Sequence, residues 1–179
     1  MMFSETKLKG SYVIEIEPVE DERGFFARSW CREEFRANGI NIDIVQCNIS
    51  YNKLKGTLRG MHYQASPYEE AKLVRCSRGA IYDVIIDLRP LSNTFREWVA
   101  VELSAENHKM LFIPEGFAHG FQTLEDNAEV FYQMSEFYHP ECSKGVCWND
   151  PAFRIEWPEV FDRCISEKDM RYQLWQSTT

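Results

Sequence analysis

The fold is decided by the stretch Lys72-Leu-Val-Arg-Cys76-Ser-Arg-Gly79-Ala80-Ile-Tyr-Asp-Val-Ile-Ile86, which contains two apolar runs of strand length. The runs Lys72–Cys76 and Ala80–Ile86 are rich in Val, Ile and Tyr, the residue types that favour β-strands. Ser77-Arg-Gly79 lies between them and is a turn signal. The stretch therefore predicts two β-strands separated by a turn.

Runs of the same kind recur along the chain, separated by further turn signals such as Pro90-Leu-Ser-Asn93 and Glu125-Asp-Asn127. The other runs are Tyr12–Ile16, Ile42–Val45, Trp98–Leu103, Met110–Ile113 and Val130–Met134. Helical periodicity is weak, and the two helical candidates are Arg32–Asn38, before a capping Gly39, and Glu167–Tyr172. Many short strands at this spacing predict an all-β sandwich or barrel.

Composition predicts one globular domain over residues 1–179, because the chain has no repeat, linker or break in composition. A net charge of −8 argues against a general nucleic-acid surface, since phosphate binding needs a basic stripe. No segment approaches the roughly 18 consecutive apolar residues that a membrane span needs. An anionic ligand would have to be held by a local cluster of cations.

The location expected from the sequence is the cytoplasm. The start of the chain, Met-Met-Phe-Ser-Glu-Thr-Lys, does not resemble a secretory signal, because no basic stretch leads into an apolar run. The six cysteines are scattered and form no CxxC pair, which indicates free thiols in a reducing compartment.

A candidate site for anion binding and acid/base chemistry lies in Gly56–Gln64 and just after it. Arg59, His62 and Lys72 place a guanidinium, an imidazole and an ammonium close together in the chain. On a regular strand His62 would share a face with Leu58, Gly60 and Gln64, whereas Arg59 would point to the opposite face. Both side chains can enter one cavity only if a bulge or twist near Gly60 redirects one of them.

A histidine acts as a general base near neutral pH, and it acts best when a carboxylate orients it. The chain offers Asp83, Asp87 and Asp169 as partners for His62, and the residues alone do not choose among them. Asp83 shares a strand face with two isoleucines, so if buried it needs a partner of its own, for which Lys72 is a candidate.

Proton removal from carbon also needs a positive group near the developing oxyanion, and inversion needs an acid on the opposite side. Lys72 suits the first role, and Tyr132 could be the acid, although its pattern also fits a tyrosine at the core edge. His119, in the glycine-containing loop expected over Phe112–Phe121, fits either a ligand contact or a buried structural residue.

No metal is expected. The four histidines, His62, His108, His119 and His139, form no His-x-His pair. Gln64 occupies the position where a second ligand would lie.

Taken together, these segments resemble the dTDP-4-dehydrorhamnose 3,5-epimerase family over nearly the whole chain. The segments are Asp21-Glu-Arg23-Gly-Phe25-Phe26, Gln46-Cys-Asn48-Ile-Ser50, Gly56–Gln64, Lys72-Leu-Val-Arg75, Tyr82-Asp83-Val-Ile-Ile-Asp87-Leu-Arg89, Ile113–Phe121, Val130–Tyr132, Trp148-Asn-Asp150-Pro and Ser166–Asp169. The resemblance implies a cupin-type jelly roll, a homodimer, and a reaction on a nucleotide-linked 4-keto-6-deoxy sugar without metal or cofactor.

The resemblance also implies roles for particular residues. His62 is expected to be the general base, Asp169 its paired carboxylate, Lys72 the group that stabilises the enolate and Tyr132 the acid. The substrate-contacting residues implied in the same way are Arg23, Phe25, Gln46, Asn48, Arg59, His119, Tyr138 and Lys168. Arg23 and Arg59 are chemically suited to bidentate binding of a pyrophosphate.

Two positions depart from the family pattern. Arg28 stands where many members have Glu, and Ser143 stands near another position that is often acidic. Both belong to the set that faces the nucleotide. The sequence therefore predicts double epimerisation at C3 and C5 and leaves open a mono-epimerase on a related, even CDP-linked, sugar. A non-catalytic cupin that only binds a nucleotide sugar is a further alternative, which the presence of His62 and Tyr132 disfavours.

Overall fold

A computed structural model describes residues 1–175 and forms fourteen β-strands and two short helices in that range. In chain order the elements are β1 (Met2–Glu5), β2 (Tyr12–Glu15), β3 (Val19–Asp21), β4 (Gly24–Phe26), α1 (Arg32–Ala37), β5 (Gln46–Asn52), β6 (Thr57–Gln64), β7 (Lys72–Arg78), β8 (Ala80–Asp87), β9 (Trp98–Ser104), β10 (Met110–Ile113), β11 (Phe117–Thr123), β12 (Ala128–Met134), β13 (Ser143–Gly145), β14 (Cys164–Ile165) and α2 (Glu167–Met170).

Two large sheets make up the fold. The first has the strand order β1-β2-β10-β7-β12-β5, and the second has the order β13-β6-β11-β8-β9 with β14 added in parallel to β6. All neighbours along these two orders are antiparallel, and most are distant in sequence. Strands β3 and β4 pair separately as a hairpin. The architecture is the predicted all-β jelly roll of the cupin type.

The main core lies between the two sheets. It follows from alternation along the strands, because every second side chain of β7, β12 and β8 points inward. Val74 and Val130 from the first sheet pack with Ile81, Ile85 and Phe121 from the second. Each fully buried side chain of this size contributes roughly 1.5–3 kcal/mol to stability. The decisive stretch thus supplies one strand to each sheet.

The outer faces of both sheets are also covered. Helix α1 packs Phe35 on the first sheet, where its ring meets those of Phe3 and Phe112. The segment after β13 covers the second sheet, with Phe153 and Trp157 packed near Met61. This C-terminal segment returns the chain to β6, and β14 pairs with the first residues of β6. Helix α2 follows directly after β14. The return places α2 beside the candidate site.

Two assignments from the sequence are wrong. Ile42–Val45 is not a strand, because Ile42 packs beside α1 and the ladder with β12 begins at the Val45 amide and continues through β5. Phe117–Thr123, expected within a loop, is a fully buried central strand. A Cβ on Gly120 would lie 2.7 Å from the Arg59 carbonyl oxygen, so the glycine permits close approach of β6 and β11.

The helices are close to those expected. Helix α1 ends at Ala37, and Gly39 adopts a positive φ of 79° just after it, as a glycine at a helix C-terminus commonly does. Helix α2 is a single turn with Ser166 as its N-cap. Within residues 1–175 no helix is long and apolar enough to cross a bilayer.

Candidate active site

A cavity of about 540 Å³ opens between strands of the two sheets. It gathers nine of the twelve predicted site residues, which come from β5, β6, β7, β11, β12 and the segments after β12 and β14. These nine are Gln46, Asn48, Arg59, His62, Lys72, His119, Tyr132, Tyr138 and Lys168. Clefts of similar volume lie near Trp148 and near Phe161, but no histidine of the described chain lines either one.

Strand register explains why residues far apart in sequence share this cavity. Tyr132 lies opposite Asn48 on one side and Val74 on the other, and Met134 lies opposite Gln46 and Lys72 in the same way. Directly paired residues project to the same face of a sheet. Val74 belongs to the inner core, so Tyr132 and Asn48, which lie beside it, also point inward. Met134, Lys72 and Gln46 lie two residues further along the same strands and point to the same side.

The bulge predicted near Gly60 is confirmed. His62 pairs with His119, whereas Arg59 pairs with Phe121, so β6 has one residue more than β11 over this interval. Gly60 adopts a φ of 117°, and a Cβ there would lie 2.6 Å from the Gly120 Cα. The extra residue turns Arg59 and His62 into the same cavity.

His62 pairs with Asp169, which decides among the three candidate carboxylates. The His62 Nε2 and Asp169 Oδ1 atoms are 2.7 Å apart. Asp169 is held in turn by the Gly60 amide, which donates to Oδ2 at 3.2 Å, and its own amide donates to the Ser166 hydroxyl at 3.1 Å. The ring of Tyr172 packs edge-on against His62. The imidazole is therefore fixed from two sides.

The protonation state of Asp169 defines what His62 can do. Burial alone would raise the pKa of the Asp169 carboxyl, but the hydrogen bonds from His62, Gly60 and Ser166 outweigh it and lower the pKa below its ordinary value. An ionised carboxylate only accepts hydrogen bonds, so Nε2 of His62 carries the proton. Nδ1 then keeps its lone pair and is available as a base.

The other two carboxylates have different partners. Asp83 Oδ1 accepts from His119 Nε2 at 2.7 Å, so the prediction that Lys72 pairs with Asp83 is wrong. Asp87 accepts from Arg89, Ser92 and Thr94. Burial works to raise the pKa of Asp87, yet these donors lower it to about 2. Neither Asp83 nor Asp87 is therefore available to pair with His62.

Lys72 pairs instead with Glu70, a residue that sequence reasoning missed. The Lys72 Nζ and Glu70 Oε1 atoms are 2.8 Å apart, and both residues are buried at the cavity wall. The available signal was the spacing, because residues i and i+2 of an extended segment project to the same side. Lys72 thus places a compensated positive charge in the cavity.

Tyr132 lines the cavity from the first sheet, whereas His62 comes from the second. Burial raises the pKa of the Tyr132 phenol above its ordinary value of 10. Arg59 acts to lower this pKa and Glu70 acts to raise it, and the net shift is upward. The phenol therefore stays protonated at neutral pH. A base on one wall and a protonated acid on the other can act on opposite faces of a bound molecule.

Polar groups suited to binding line the rest of the cavity. The Arg59 Nε donates to Asn52 Oδ1 at 2.7 Å, and its terminal nitrogens make no hydrogen bond to residues 1–175. Gln46 donates to Asn48 at 3.2 Å. Tyr138 and Lys168 are exposed at the rim. Arg59 is placed to receive an anion.

Arg23 and Phe25 lie outside this cavity. Both are on the β3–β4 hairpin, where the Arg23 side chain is 84% exposed and pairs with Asp21. Phe25 packs edge-on against His108. Their roles in substrate binding stay predictions.

The two departures from the family pattern occupy different places. The Arg28 guanidinium pairs with Glu34 at 2.7 Å, outside the cavity. Ser143 on β13 lines the cavity opposite Gln64. No group of three metal-binding side chains occurs among residues 1–175.

Comparisons with known proteins identify the family of this chain. The family model described as dTDP-4-dehydrorhamnose 3,5-epimerase matches residues 5–177. The dTDP-4-dehydrorhamnose 3,5-epimerase of Methanothermobacter thermautotrophicus is 46% identical over 96% of this chain and 92% of its own.

Solved structures of two relatives superpose closely on this chain. The Bacillus anthracis enzyme of that name, with TDP and PPi bound, superposes with a TM-score of 0.94 at 40% identity, covering 97% of this chain and 99% of its own. The Legionella pneumophila dTDP-6-deoxy-D-glucose-3,5-epimerase, in complex with dTDP-4-keto-L-rhamnose, gives 0.91 at 38% identity, covering 97% and 92%. The chain described here therefore belongs to the dTDP-4-dehydrorhamnose 3,5-epimerase family.

Proposed function

We propose that this protein converts dTDP-4-dehydro-6-deoxy-D-glucose into dTDP-4-dehydro-L-rhamnose by inverting C3 and C5. The observation that carries the proposal is the pairing of His62 with Asp169 on one wall of the cavity, with Tyr132 on the other wall. Family membership and the bound ligand of the Legionella pneumophila enzyme support the same substrate.

In the proposed reaction Nδ1 of His62 removes the proton from C5 or C3, the two carbons next to the C4 ketone. The electron pair moves onto the C4 oxygen and forms an enolate, which the ammonium of Lys72 stabilises. Tyr132 then donates its phenolic proton to the opposite face of the same carbon. Exchange with water returns the proton of His62 to solvent and reprotonates Tyr132. The substrate ketone is the electron sink, so the reaction requires no cofactor.

The nucleotide end of the substrate is assigned to the polar lining. Arg59 is proposed to bind the pyrophosphate, and Gln46, Asn48, His119 and Lys168 contribute further polar contacts. Tyr138 is proposed to flank the substrate at the rim. The Bacillus anthracis relative binds TDP and PPi, which supports a thymidine diphosphate here.

The active form is proposed to be a homodimer. In the described chain β5 is an edge strand with exposed Ile49 and Tyr51, and Phe26 on the β3–β4 hairpin is exposed as well. Exposed apolar edge strands are commonly covered by a second chain. A dimer in which the hairpin reaches the neighbouring cavity would give Arg23 and Phe25 their predicted role.

Mixing two inactive variants tests this arrangement. If Arg23 acts in the neighbouring cavity, re-associated Arg23→Ala and His62→Ala subunits form one intact site per mixed dimer, and activity returns. If Arg23 acts in its own subunit, every site keeps a defect and no activity returns. The cytoplasm is the proposed location, supported by six unpaired cysteines within the described residues.

The function itself is tested by proton NMR of the purified protein with dTDP-4-keto-6-deoxyglucose in deuterium oxide. Deuterium at both C3 and C5, together with turnover by an added rhamnose-forming reductase, is the expected result. Exchange at a single carbon would contradict double epimerisation. No exchange by folded protein would contradict the choice of sugar and direct attention to Arg28 and Ser143.

A further inference from the structure

Glu70 is the one acidic side chain among the described residues that line the cavity, and the proposed reaction gives it no role. Its side chain is only 4% exposed, and it lines the cavity beside Lys72. Oε1 accepts from the Lys72 ammonium, but Oε2 is buried and accepts no hydrogen bond from residues 1–175. A buried carboxylate oxygen without a donor is unfavourable, and native proteins rarely leave one unpaired. A ligand that supplies a donor would satisfy it.

The position of Glu70 limits which part of the substrate can reach it. In the proposed function Lys72 binds the C4 oxygen of the sugar, and one carboxylate oxygen of Glu70 contacts the same ammonium. The second oxygen of that carboxylate is attached to the same carbon, so the sugar groups next to C4 are the first candidates for its donor. Glu70 and Tyr132 line the same cavity.

The chemistry of the sugar then leaves one donor. Next to C4 of a 4-keto-6-deoxy sugar, C5 carries the ring oxygen and a methyl group, and neither can donate a hydrogen bond. C3 carries a hydroxyl. We propose that Glu70 accepts a hydrogen bond from the C3 hydroxyl and makes the site selective for sugars that carry it. This inference rests on the proposed function, since it takes the sugar and the role of Lys72 from it.

A hydrogen bond from a hydroxyl to a carboxylate is about twice as strong as one between neutral groups. A site built to accept such a bond discriminates against an analogue that lacks the donor, because the buried oxygen is then left unpaired. The prediction is therefore selectivity against 3-deoxy sugars, a property that a purely structural role in holding Lys72 would not produce.

The test is a double comparison of two enzymes on two substrates. Wild-type protein and Glu70→Ala are assayed with dTDP-4-keto-6-deoxyglucose and its 3-deoxy analogue, and deuterium incorporation at C5 gives kcat/KM in each case. Wild-type protein is expected to lose about tenfold or more on the 3-deoxy analogue, the effect of one charge-assisted hydrogen bond. Glu70→Ala is expected to show less than about a threefold difference between the two sugars.

Glu69→Ala is the matched control, because Glu69 precedes Glu70 directly and does not line the cavity. The Glu69→Ala variant is expected to lose as much kcat/KM on the 3-deoxy analogue as the wild-type protein does. If Glu70→Ala does not fold, Glu70→Gln replaces it and should reduce the penalty to a few-fold, since a neutral amide binds a hydroxyl more weakly than a carboxylate does.

An equal 3-deoxy penalty in wild-type protein and Glu70→Ala would overturn the proposal, because Glu70 would then act only through Lys72. If Glu70→Ala instead reduces the loss of kcat/KM on a 2-deoxy analogue, the assignment of the hydrogen bond to the C3 hydroxyl would be overturned. Absence of C5 exchange by the wild-type protein on the parent sugar is a different result, and it would overturn the proposed function itself.

Discussion

Two histidine–aspartate pairs lie side by side in this protein and differ in what surrounds them. His62 with Asp169 and His119 with Asp83 have the same Nε2 to Oδ1 distance of 2.7 Å, and the two histidines are direct partners across β6 and β11. The His62 side chain is 37% exposed, whereas that of His119 is 11% exposed. The same chemical pair therefore occurs once facing the cavity and once within its wall.

The carboxylates differ as well. Asp169 has backbone and hydroxyl contacts that stabilise its charge, whereas Oδ2 of Asp83 is buried without a partner among residues 1–175. Asp83 also comes from the middle of β8, between core isoleucines, while Asp169 comes from a short helix at the surface. Exposure and support, rather than the presence of a histidine–aspartate pair, mark the one suited to proton transfer.

Removal of His62 is expected to have the largest effect, and it tests whether the exposed pair carries out the proton transfer. We expect His62→Ala to lower deuterium exchange at C3 and C5 by about 10²- to 10⁴-fold, the range for loss of a general base. His139→Ala is the matched control, since His139 stacks on Tyr68 outside the cavity-lining set and should leave exchange unchanged. Exchange by His62→Ala above about a tenth of the wild-type rate would contradict the assignment of the base.

Tyr132→Phe separates removal of the proton from its return. We expect inversion to fall by about 10²-fold or more, because the opposite face loses its acid. Exchange should fall less, since His62 can return a deuteron to the face from which it took the proton. NMR would then show deuterated substrate that has not been inverted. An equal loss of exchange and inversion would mean that Tyr132 does not act as the separate acid.

Asp169→Asn tests whether support of the imidazole matters. A neutral amide cannot stabilise the imidazolium that forms during proton transfer, so kcat is expected to fall by about 10- to 100-fold with little change in KM. Asp83→Asn is the matched control, with the same change in the buried pair. The comparison fails if both variants lower kcat to the same extent.

The pH dependence of stability gives Asp169 a second readout. Its pKa is lower in the folded protein than the ordinary value of 3.8, so the charged form is favoured by folding. The resulting stability is fully present above about pH 4 and is lost as pH falls through the folded-state pKa. Thermal unfolding of Asp169→Asn should therefore be less sensitive to acid in this range than that of the wild-type protein. Identical acid sensitivity would show that Asp169 is not stabilised as an anion.

The smallest effect on catalysis is expected at the buried pair. Asp83→Asn should lower the free energy of unfolding by about 1–3 kcal/mol, because a buried amide donor replaces an oxygen in the core. Thermal unfolding would report this as a shift of a few degrees for a chain of this size. Since His119 lines the cavity, KM is expected to rise a few-fold while kcat changes little. A large loss of kcat would give the buried pair a direct part in proton transfer.

Most strands could be predicted from the sequence because an apolar run rich in Val, Ile and Tyr is a local property. Ala80–Ile86 and Lys72–Cys76 are such runs, and β8 and β7 contain them. Phe117–Thr123 differs from the predicted loop because the glycines at 116 and 120 indicate a loop when neighbouring strands are ignored. Only the packing of β11 against β6 explains Gly120, since any side chain there would meet the backbone of Arg59.

The residues of the candidate site also fall into two groups: those that the sequence indicates and those that only the tertiary structure brings together. The residues proposed to act in the reaction, His62, Lys72 and Tyr132, could be selected from their chemistry and from the family resemblance. The resemblance also pointed to Asp169, whereas the residues alone left three carboxylates open. The pairing itself depends on the return of the C-terminal segment along β6, more than one hundred residues after His62. Glu70 was overlooked because an acidic pair before a strand is usually a solvated surface feature.

The sequence by itself determined the all-β class, the chemical groups of the site, and the condition that Arg59 and His62 share a cavity only through a bulge or twist near Gly60. Each of these depends on side-chain type and on spacing within one strand. Tertiary structure alone decided which carboxylate supports which histidine, that Lys72 pairs with Glu70, and that the Arg23 hairpin lies outside its own cavity. Those outcomes depend on distances between segments that are remote in the chain, and local propensity contains no information about such distances.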